Sequence, residues 1–274
     1  MAVDAAVGSE EAKGRYRDEL GTDHPLEPAR LRALTDAFDP GTRRRIEALG
    51  LDADWSSLDV GAGTGSVSHW LAARCPEGRV TATELDPSLV AGPLPPNLAV
   101  LRHDITAEDF PDGSFQLIVA RMVLMHLPQR QRIVERMYRW LAPGGVLLLE
   151  ELVHFPRHGL PEESPFRRAV DGWWAMLSAS FGMDADWGGR AAQALCRAGY
   201  VDVRAEAELP VVHAGTSMAR FSRLTLEIIA SRLVASGFLD EEELRRGLEE
   251  IDDPSHFSFP MALIATSGYR SMPA

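Results

Sequence analysis

Asp59, Gly61, Gly63 and Gly65 stand at alternate positions in the stretch LDVGAGTG, and Glu84 follows the turn by about twenty residues. Glycines on a strand-to-helix turn carry no β-carbon, so the backbone can bend sharply and bring its N–H groups close to a ligand. Dinucleotide enzymes use a similar turn for pyrophosphate, and three details bear on the choice. Asp59 puts an anion at the entrance of the loop, which repels pyrophosphate and attracts an ammonium or sulfonium cation. Ser66 stands where the dinucleotide pattern carries glycine or alanine, a modest departure because serine is small. Glu84 falls at the predicted end of the second strand, where a carboxylate can accept both hydroxyls of a ribose. Nicotinamide enzymes share that last feature, so it specifies an adenosine-type ligand and leaves both classes open.

A second group of residues could meet a substrate. Trp173, Trp174 and Phe181 lie on one predicted helix. Such spacing more often builds core than pocket, but a cap helix has little core of its own. At least one of the tryptophans Trp173 and Trp174 is therefore expected to line an acceptor pocket, with Met183 and Trp187 as neighbours. Cys75 and Cys196 show no metal-ligand or disulfide spacing, and no metal is expected.

The elements that position these residues follow from the hydrophobic periodicity. Residues 1–50 read as helical in three pieces: SEEAKGRYRDEL, PARLRALTDAF and PGTRRRIEALG. From Trp55 the chain alternates short apolar runs with helical segments, the pattern of a parallel sheet with crossover helices. The predicted strands are SLDV, RVTATEL, LAVLRHD, FQLIVARM and GVLLLEELV, followed later by VDVRAEAEL and PMALIATSGY. The fold class predicted is α/β: a Rossmann-like, doubly wound, mostly parallel seven-stranded sheet with helical lid and cap insertions. Its parts are an N-terminal helical lid (1–50), a core (51–154), a cap insertion (155–190), core continued (191–210), a second helical insertion (211–255) and a last core strand (256–274). The three excursions are expected over the carboxyl edge of the sheet, where ligands of open α/β sheets bind.

Composition narrows the partners. Forty acidic against 28 basic side chains give a formal charge of −12, which argues against nucleic acid. The arginine runs at 43–45 and 245–246 read as solvated helix faces. No apolar run is long enough to span a bilayer, and the acidic first residues do not resemble a signal peptide, so a soluble cytoplasmic protein without membrane association is expected. A monomer or homodimer is expected. With 274 residues, 45% of them apolar, the chain can bury one substantial core.

LDVGAGTG followed by TATELDPSLV, LRHDI, FQLIVARMVLMHLP and LAPGGVLLLEE resembles the class I S-adenosylmethionine-dependent methyltransferases over about residues 55–153. The later GRAAQALCRAGYVDVRAEAEL resembles a helix and strand of the same fold, and the flanking helices resemble those of actinobacterial small-molecule methyltransferases. The resemblance implies that Asp59 and the backbone of Gly61, Ala62, Gly63 and Gly65 hold the methionine part, and that Glu84 holds the ribose. It further implies that Leu85 packs on adenine, Asp104 with the Ile105 backbone reads the adenine edge, and Arg121 and Met122 line the floor beneath the methyl group. Tyr16 resembles a lid tyrosine that reaches the methionine carboxylate. Gln116 departs from the usual aspartate of the family at a position that is not normally a ligand.

The expected function is methyl transfer from S-adenosylmethionine, giving S-adenosylhomocysteine, to a small-molecule acceptor of bacterial secondary metabolism, with oxygen preferred over nitrogen or carbon. His126, in the loop that lies near the methyl group in this family, is the first candidate base; Glu151 and His154 follow on the same edge. His213 joins only if the second insertion folds over the pocket. Asp104 could equally make an Asx-turn before Thr106, and Arg121 a structural salt bridge. The alternatives are an enzyme that binds S-adenosylmethionine and catalyses a rearrangement or elimination, and an NAD-dependent oxidoreductase.

Overall fold

The computed structural model describes residues 24–155, 159–181 and 183–273. Their elements are α1 (Glu27–Ala48), β1 (Ser57–Val60), α2 (Ser66–Arg74), β2 (Val80–Glu84), β3 (Leu98–Arg102), β4 (Phe115–Arg121), α3 (Arg130–Trp140) and β5 (Leu141–His154). After these come α4 (Pro165–Phe181), α5 (Trp187–Arg197), β6 (Val201–Glu208), α6 (Ser217–Ala235), α7 (Glu241–Asp252) and β7 (Met261–Tyr269). The strands form one sheet in the order β3-β2-β1-β4-β5-β7-β6. From β3 to β5 all neighbours run parallel. β7 runs against β5, because Gly144 bonds to Arg270 at one end of β5 and Phe155 bonds to Pro260 at the other. This is the doubly wound α/β sheet expected. Its order turns back between β1 and β4, which opens a crevice outside their carboxyl ends.

Two compact units divide the chain: a sheet unit of Asp39–Leu152, Asp186–Ala207 and Ile264–Ala274, and a helical unit of the described residues up to Phe38, in Val153–Ala185 and in Glu208–Leu263. In the sheet unit, both faces of the parallel strands are covered, so the strand sequences read as near-continuous apolar runs. Val80, Ala82, Leu117, Val119, Val146 and Leu148 project to one face and pack with Ile46 of α1 and Val67, Leu71 and Ala72 of α2. The alternate residues Leu58, Val60, Ile118, Ala120, Leu147 and Leu149 are buried on the other face.

In the helical unit, α7 opens with a capping box of Asp240 and Glu243, and Thr216 caps α6. Glu250 of α7 accepts from the Ser164 hydroxyl and the Phe166 N–H, which satisfies the start of α4. Gly247 makes that approach possible, since a β-carbon there would lie 3.1 Å from the Pro165 carbonyl oxygen.

Three local expectations differ from the structure. The two helical pieces on either side of Pro40 are one helix, α1. The helical segment PQRQRIVERMYRWLAPGG, expected to close on its proline-glycine-glycine stop, already ends at Trp140, and β5 begins at once, because Pro143 lacks an N–H and holds Ala142 extended. PSLVAG, expected as a helical segment between the second and third strands, makes only a single 3-10 turn at Pro87–Leu89. Among the described residues no helix is long and apolar enough to cross a membrane.

Candidate active site

Strand register sets the site. Thr83, Val60, Ala120 and Leu149 form one row across β2, β1, β4 and β5. One residue further on, Glu84, Gly61, Arg121 and Glu150 therefore share the carboxyl edge. Side chains alternate along a strand, so Asp59, Glu84, Arg121 and Glu150 project to the face that carries Ala82, Val119 and Leu148, the face covered by α1 and α2.

The glycine turn then bends across this edge. Gly61, Gly63 and Gly65 have φ of 62°, 56° and 77°, the left-handed region where a side chain is strained. A β-carbon on Gly61 would lie 2.6 Å from a methyl of Val123, and one on Gly65 would lie 2.6 Å from a methyl of Val90. At Gly63 a β-carbon would meet nothing within 4 Å, so the middle of the turn faces open space. Ala62 donates to the Thr83 carbonyl at 3.1 Å, which ties the turn to the end of β2.

Both acids flanking the turn are held in place. Asp59 is buried and accepts from Ser68 of α2 at 2.5 Å. Burial raises its carboxyl to about 6, against the Ser68 hydrogen bond and the Arg121 charge, which favour the anion. Glu84 accepts from the N–H of Gly63 at 2.6 Å and of Leu85 at 3.2 Å. Burial raises it to about 7, with those two N–H groups pulling the other way.

Behind this pair lies a polar network that the sequence did not announce. Thr42 of α1 donates to Glu150 at 2.5 Å, and Arg45 pairs with the other oxygen of Glu150 at 2.9 Å. Arg121 donates to Thr42 at 3.0 Å and pairs with Asp39 at 2.9 Å, while Asp39 also accepts from Ser66 at 3.1 Å. Burial raises the Glu150 carboxyl, and the Thr42 hydroxyl and the two arginines oppose it. The network joins α1 to the first residue of α2, to the end of β4 and to Glu150 within β5. Arg121, predicted as floor of the methyl site, thus spends its guanidinium on α1. Met122 follows at φ 58° with its N–H on the Glu150 carbonyl at 2.7 Å, a strained turn at the edge of the sheet.

Glu151 projects to the opposite face from Glu150 and has a different task. It is fully buried and accepts from the N–H of Leu124 at 2.8 Å and of Met125 at 3.4 Å. Burial raises its carboxyl to about 8. Both oxygens of Glu151, an expected base candidate, anchor the 3-10 turn Leu124–His126, which carries His126. Asp104 makes an Asx-turn, its Oδ1 accepting from the Thr106 N–H at 2.8 Å and the Thr106 hydroxyl at 2.6 Å. The neighbouring Ile105 carbonyl accepts from Arg136 at 2.6 Å. Leu85 follows Glu84 directly beyond β2.

The remaining residues fall in different places. Trp187 belongs to the sheet unit, where Arg130 lies over its ring at 5.6 Å. His154, Trp173, Trp174 and Met183 belong to the helical unit. There His154 Nε2 meets Asp171 Oδ1 at 2.9 Å, and its ring stacks on Trp174 with centroids 5.5 Å apart. His213 contacts the His256 carbonyl at 2.9 Å and stacks on Phe257. Tyr16 lies outside the described residues. Asp171, Ser68 and the Asp39–Thr42–Glu150 set were missed because long-range partners leave no local spacing to read.

This edge fits the cationic nucleoside of the resemblance. Two carboxylates flank a turn that only glycine can make, and open space lies in front of Gly63 where a ligand backbone would run. Residues 58–149 match the model of a family described as a methyltransferase domain. The chain is 32% identical over 129 residues to Methyltransferase str2 of Strobilurus tenacellus, a match covering 46% of each protein. It is 32% identical over 180 residues to the trans-aconitate 2-methyltransferase of Methylobacterium radiotolerans, covering 63% of this chain and 66% of that one. The match to the first therefore spans less than half of that relative's length. Among solved structures, the [4+2]-cyclase SpnF shares the fold with a TM-score of 0.53 at 18% identity, over 84% of this chain and 82% of that one. With the glycine turn, the two acids and the strand order all in place, residues 58–149 carry a methyltransferase domain, and the chain is similar to the class I S-adenosylmethionine-dependent methyltransferases.

Proposed function

We propose that this protein transfers the methyl group of S-adenosylmethionine to a small-molecule acceptor in bacterial secondary metabolism, and that it works in the cytoplasm as a monomer or homodimer. The observation that carries the reading is the pair Asp59 and Glu84, on one face and two residues out of level, on either side of the Gly61–Gly65 turn. Asp59 and the turn hold the methionine part, Glu84 the ribose, and Leu85, Asp104 and Ile105 the adenine.

When bound, the sulfonium would supply an electrophilic methyl group, passed in line to the acceptor as its C–S bond breaks and S-adenosylhomocysteine is released. The contribution of the protein is then mostly placement, which can supply roughly 7–11 kcal/mol. Met122 and the Arg121 network fix the edge beneath the reacting centre. Oxygen is the preferred acceptor atom, and a hydroxyl acceptor needs a base, worth roughly 100- to 10,000-fold. His126, on the turn fixed by Glu151, is the first candidate for it. His154, oriented by Asp171, is the second. Trp173, Trp174 and Met183 are the acceptor-binding candidates of the helical unit, and Trp187 that of the sheet unit.

Calorimetry with S-adenosylhomocysteine and with NAD tests the ligand, and binding of NAD alone would overturn the assignment. A second reading, turnover without methylation, draws on the likeness to SpnF, whose name is that of a cyclase. Mass spectrometry separates the two: methyl transfer yields products heavier by one methylene, and consumption of a metabolite without that increment supports the second.

A further inference from the structure

In the helical unit, the buried side-chain polar atoms without a hydrogen-bond partner among the described residues are three: the indole Nε1 of Trp173, the indole Nε1 of Trp174 and the hydroxyl of Ser222. All three sit on α4 and α6, two helices that pack against each other. Trp173 and Trp174 are 6% and 3% exposed, and Ser222 is fully buried. Folded proteins leave few such atoms unpaired, because a buried donor without an acceptor forfeits the hydrogen bonds it made to water. Their concentration on two packed helices calls for an acceptor that the described residues do not supply.

The walls of the cluster define its shape. The two indoles lie 5.7 Å apart at 34°, Trp173 meets Phe221 of α6 edge-on at 6.1 Å, and His154 stacks on Trp174. These are flat, apolar surfaces suited to a planar ring. The unpaired groups are neutral, and an indole can only donate. The charges recorded beside the cluster are matched: Asp171 is paired with His154 and lies 3.6 Å from Arg167, and Arg30, 5.6 Å over the Phe221 ring, is paired with Glu27 at 2.6 Å. A phosphate or an ammonium would find no free opposite charge among these residues, whereas a carbonyl or phenolic oxygen finds donors.

We propose that Trp173 and Trp174, with Ser222 on the helix packed against theirs, form an oxygen-reading subsite that selects an aromatic acceptor bearing a carbonyl or phenol group. This deepens the methyltransferase reading and rests on it for the identity of the occupant as the methyl acceptor. The subsite itself is a property of the helical unit and can be observed without turnover.

The test uses the full chain labelled with 15N-tryptophan, whose six tryptophans give six indole signals. Trp173→Phe and Trp174→Phe assign the two of interest. The probe is 4-hydroxyacetophenone, its hydrocarbon shape-mimic p-cymene is the first control, and phosphoethanolamine is the second. The expected result is a downfield shift of the Trp173 and Trp174 indole protons with the ketone alone. Trp174→Phe should weaken ketone binding about 2- to 13-fold, the worth of one hydrogen bond, and leave p-cymene binding within about twofold. Unmoved indole signals with the ketone, equal shifts with p-cymene, or a shift with phosphoethanolamine would each overturn the proposal. If the variant does not fold, the wild-type spectra decide. S-adenosylhomocysteine binding is measured by calorimetry on the same sample: binding with silent indoles removes the subsite and spares the methyltransferase reading, and its absence removes that reading whatever the indoles do.

Discussion

Lowering the pH from 8 to 6 should weaken S-adenosylhomocysteine binding about 20-fold, and the figure follows from the two raised acids. In the proposed complex, the ribose hydroxyls donate to Glu84 and the amino acid cation faces Asp59, so both carboxyls must be ionised to bind. Glu84 titrates at about 7, so its ionised fraction falls about tenfold between these pH values. Asp59 titrates at about 6 and adds a factor of about two. The product is about 20, or ~1.8 kcal/mol at ~1.36 kcal/mol per pH unit. Binding at pH 6 should also release about 1.4 protons, roughly 0.9 from Glu84 and 0.5 from Asp59. Calorimetry in two buffers of different ionisation enthalpy reads that number directly. Glu84→Gln should lower affinity at pH 8 and leave only the shallower Asp59 step. Constant affinity across pH 6–8 with no proton release would refute the coupling between buried carboxyls and ligand.

Glu151 tests the same physics through stability. Its carboxyl is raised to about 8, so its contribution to folding is full below the ordinary glutamate value near 4.5 and is lost as pH rises through about 8. Glu151→Gln should therefore flatten the decline of Tm between pH 5 and 8, and an unchanged slope in thermal melts would dismiss the assignment. Gly61→Ala meets both the Val123 methyl and a φ of 62°, so it should cost about 1–3 kcal/mol in urea unfolding. Gly63→Ala has room and only the backbone strain of φ 56°, so its loss should appear mainly in S-adenosylhomocysteine affinity; equal stability losses for both variants would contradict the open space before Gly63. Thr42→Val removes the hydroxyl between Glu150 and Arg121 and should destabilise by about 1–3 kcal/mol, measured by urea unfolding; a neutral result would show the network to be dispensable.

Sheet and glycine turn were legible because their signals are local. SLDV reads as a buried strand and occupies Ser57–Val60 as such. The run from Gly61 to Gly65 announces a bend that requires positive φ, and all three glycines adopt it. The joining of α1 across Pro40 was not legible, since proline is a stop signal and the packing that overrides it comes from residues far along the chain. The same holds for the polar network behind the glycine turn. Nothing in the sequence spacing ties Thr42 to Glu150, 108 positions apart. Glu150 and Glu151 were indistinguishable as letters, although strand alternation would have separated their faces once the register of β5 was known.

Those two neighbouring acids also act as a register lock. Each is completely buried, and each is committed on its own side of the sheet, one to a hydroxyl and a guanidinium, the other to main-chain N–H groups. Sliding β5 by a single position would exchange their sides, stranding one carboxyl without its cation and leaving the Leu124 turn without its acceptor. A strand rich in interchangeable leucines is thereby allowed only one alignment, and the edge that bears the chemistry inherits that certainty.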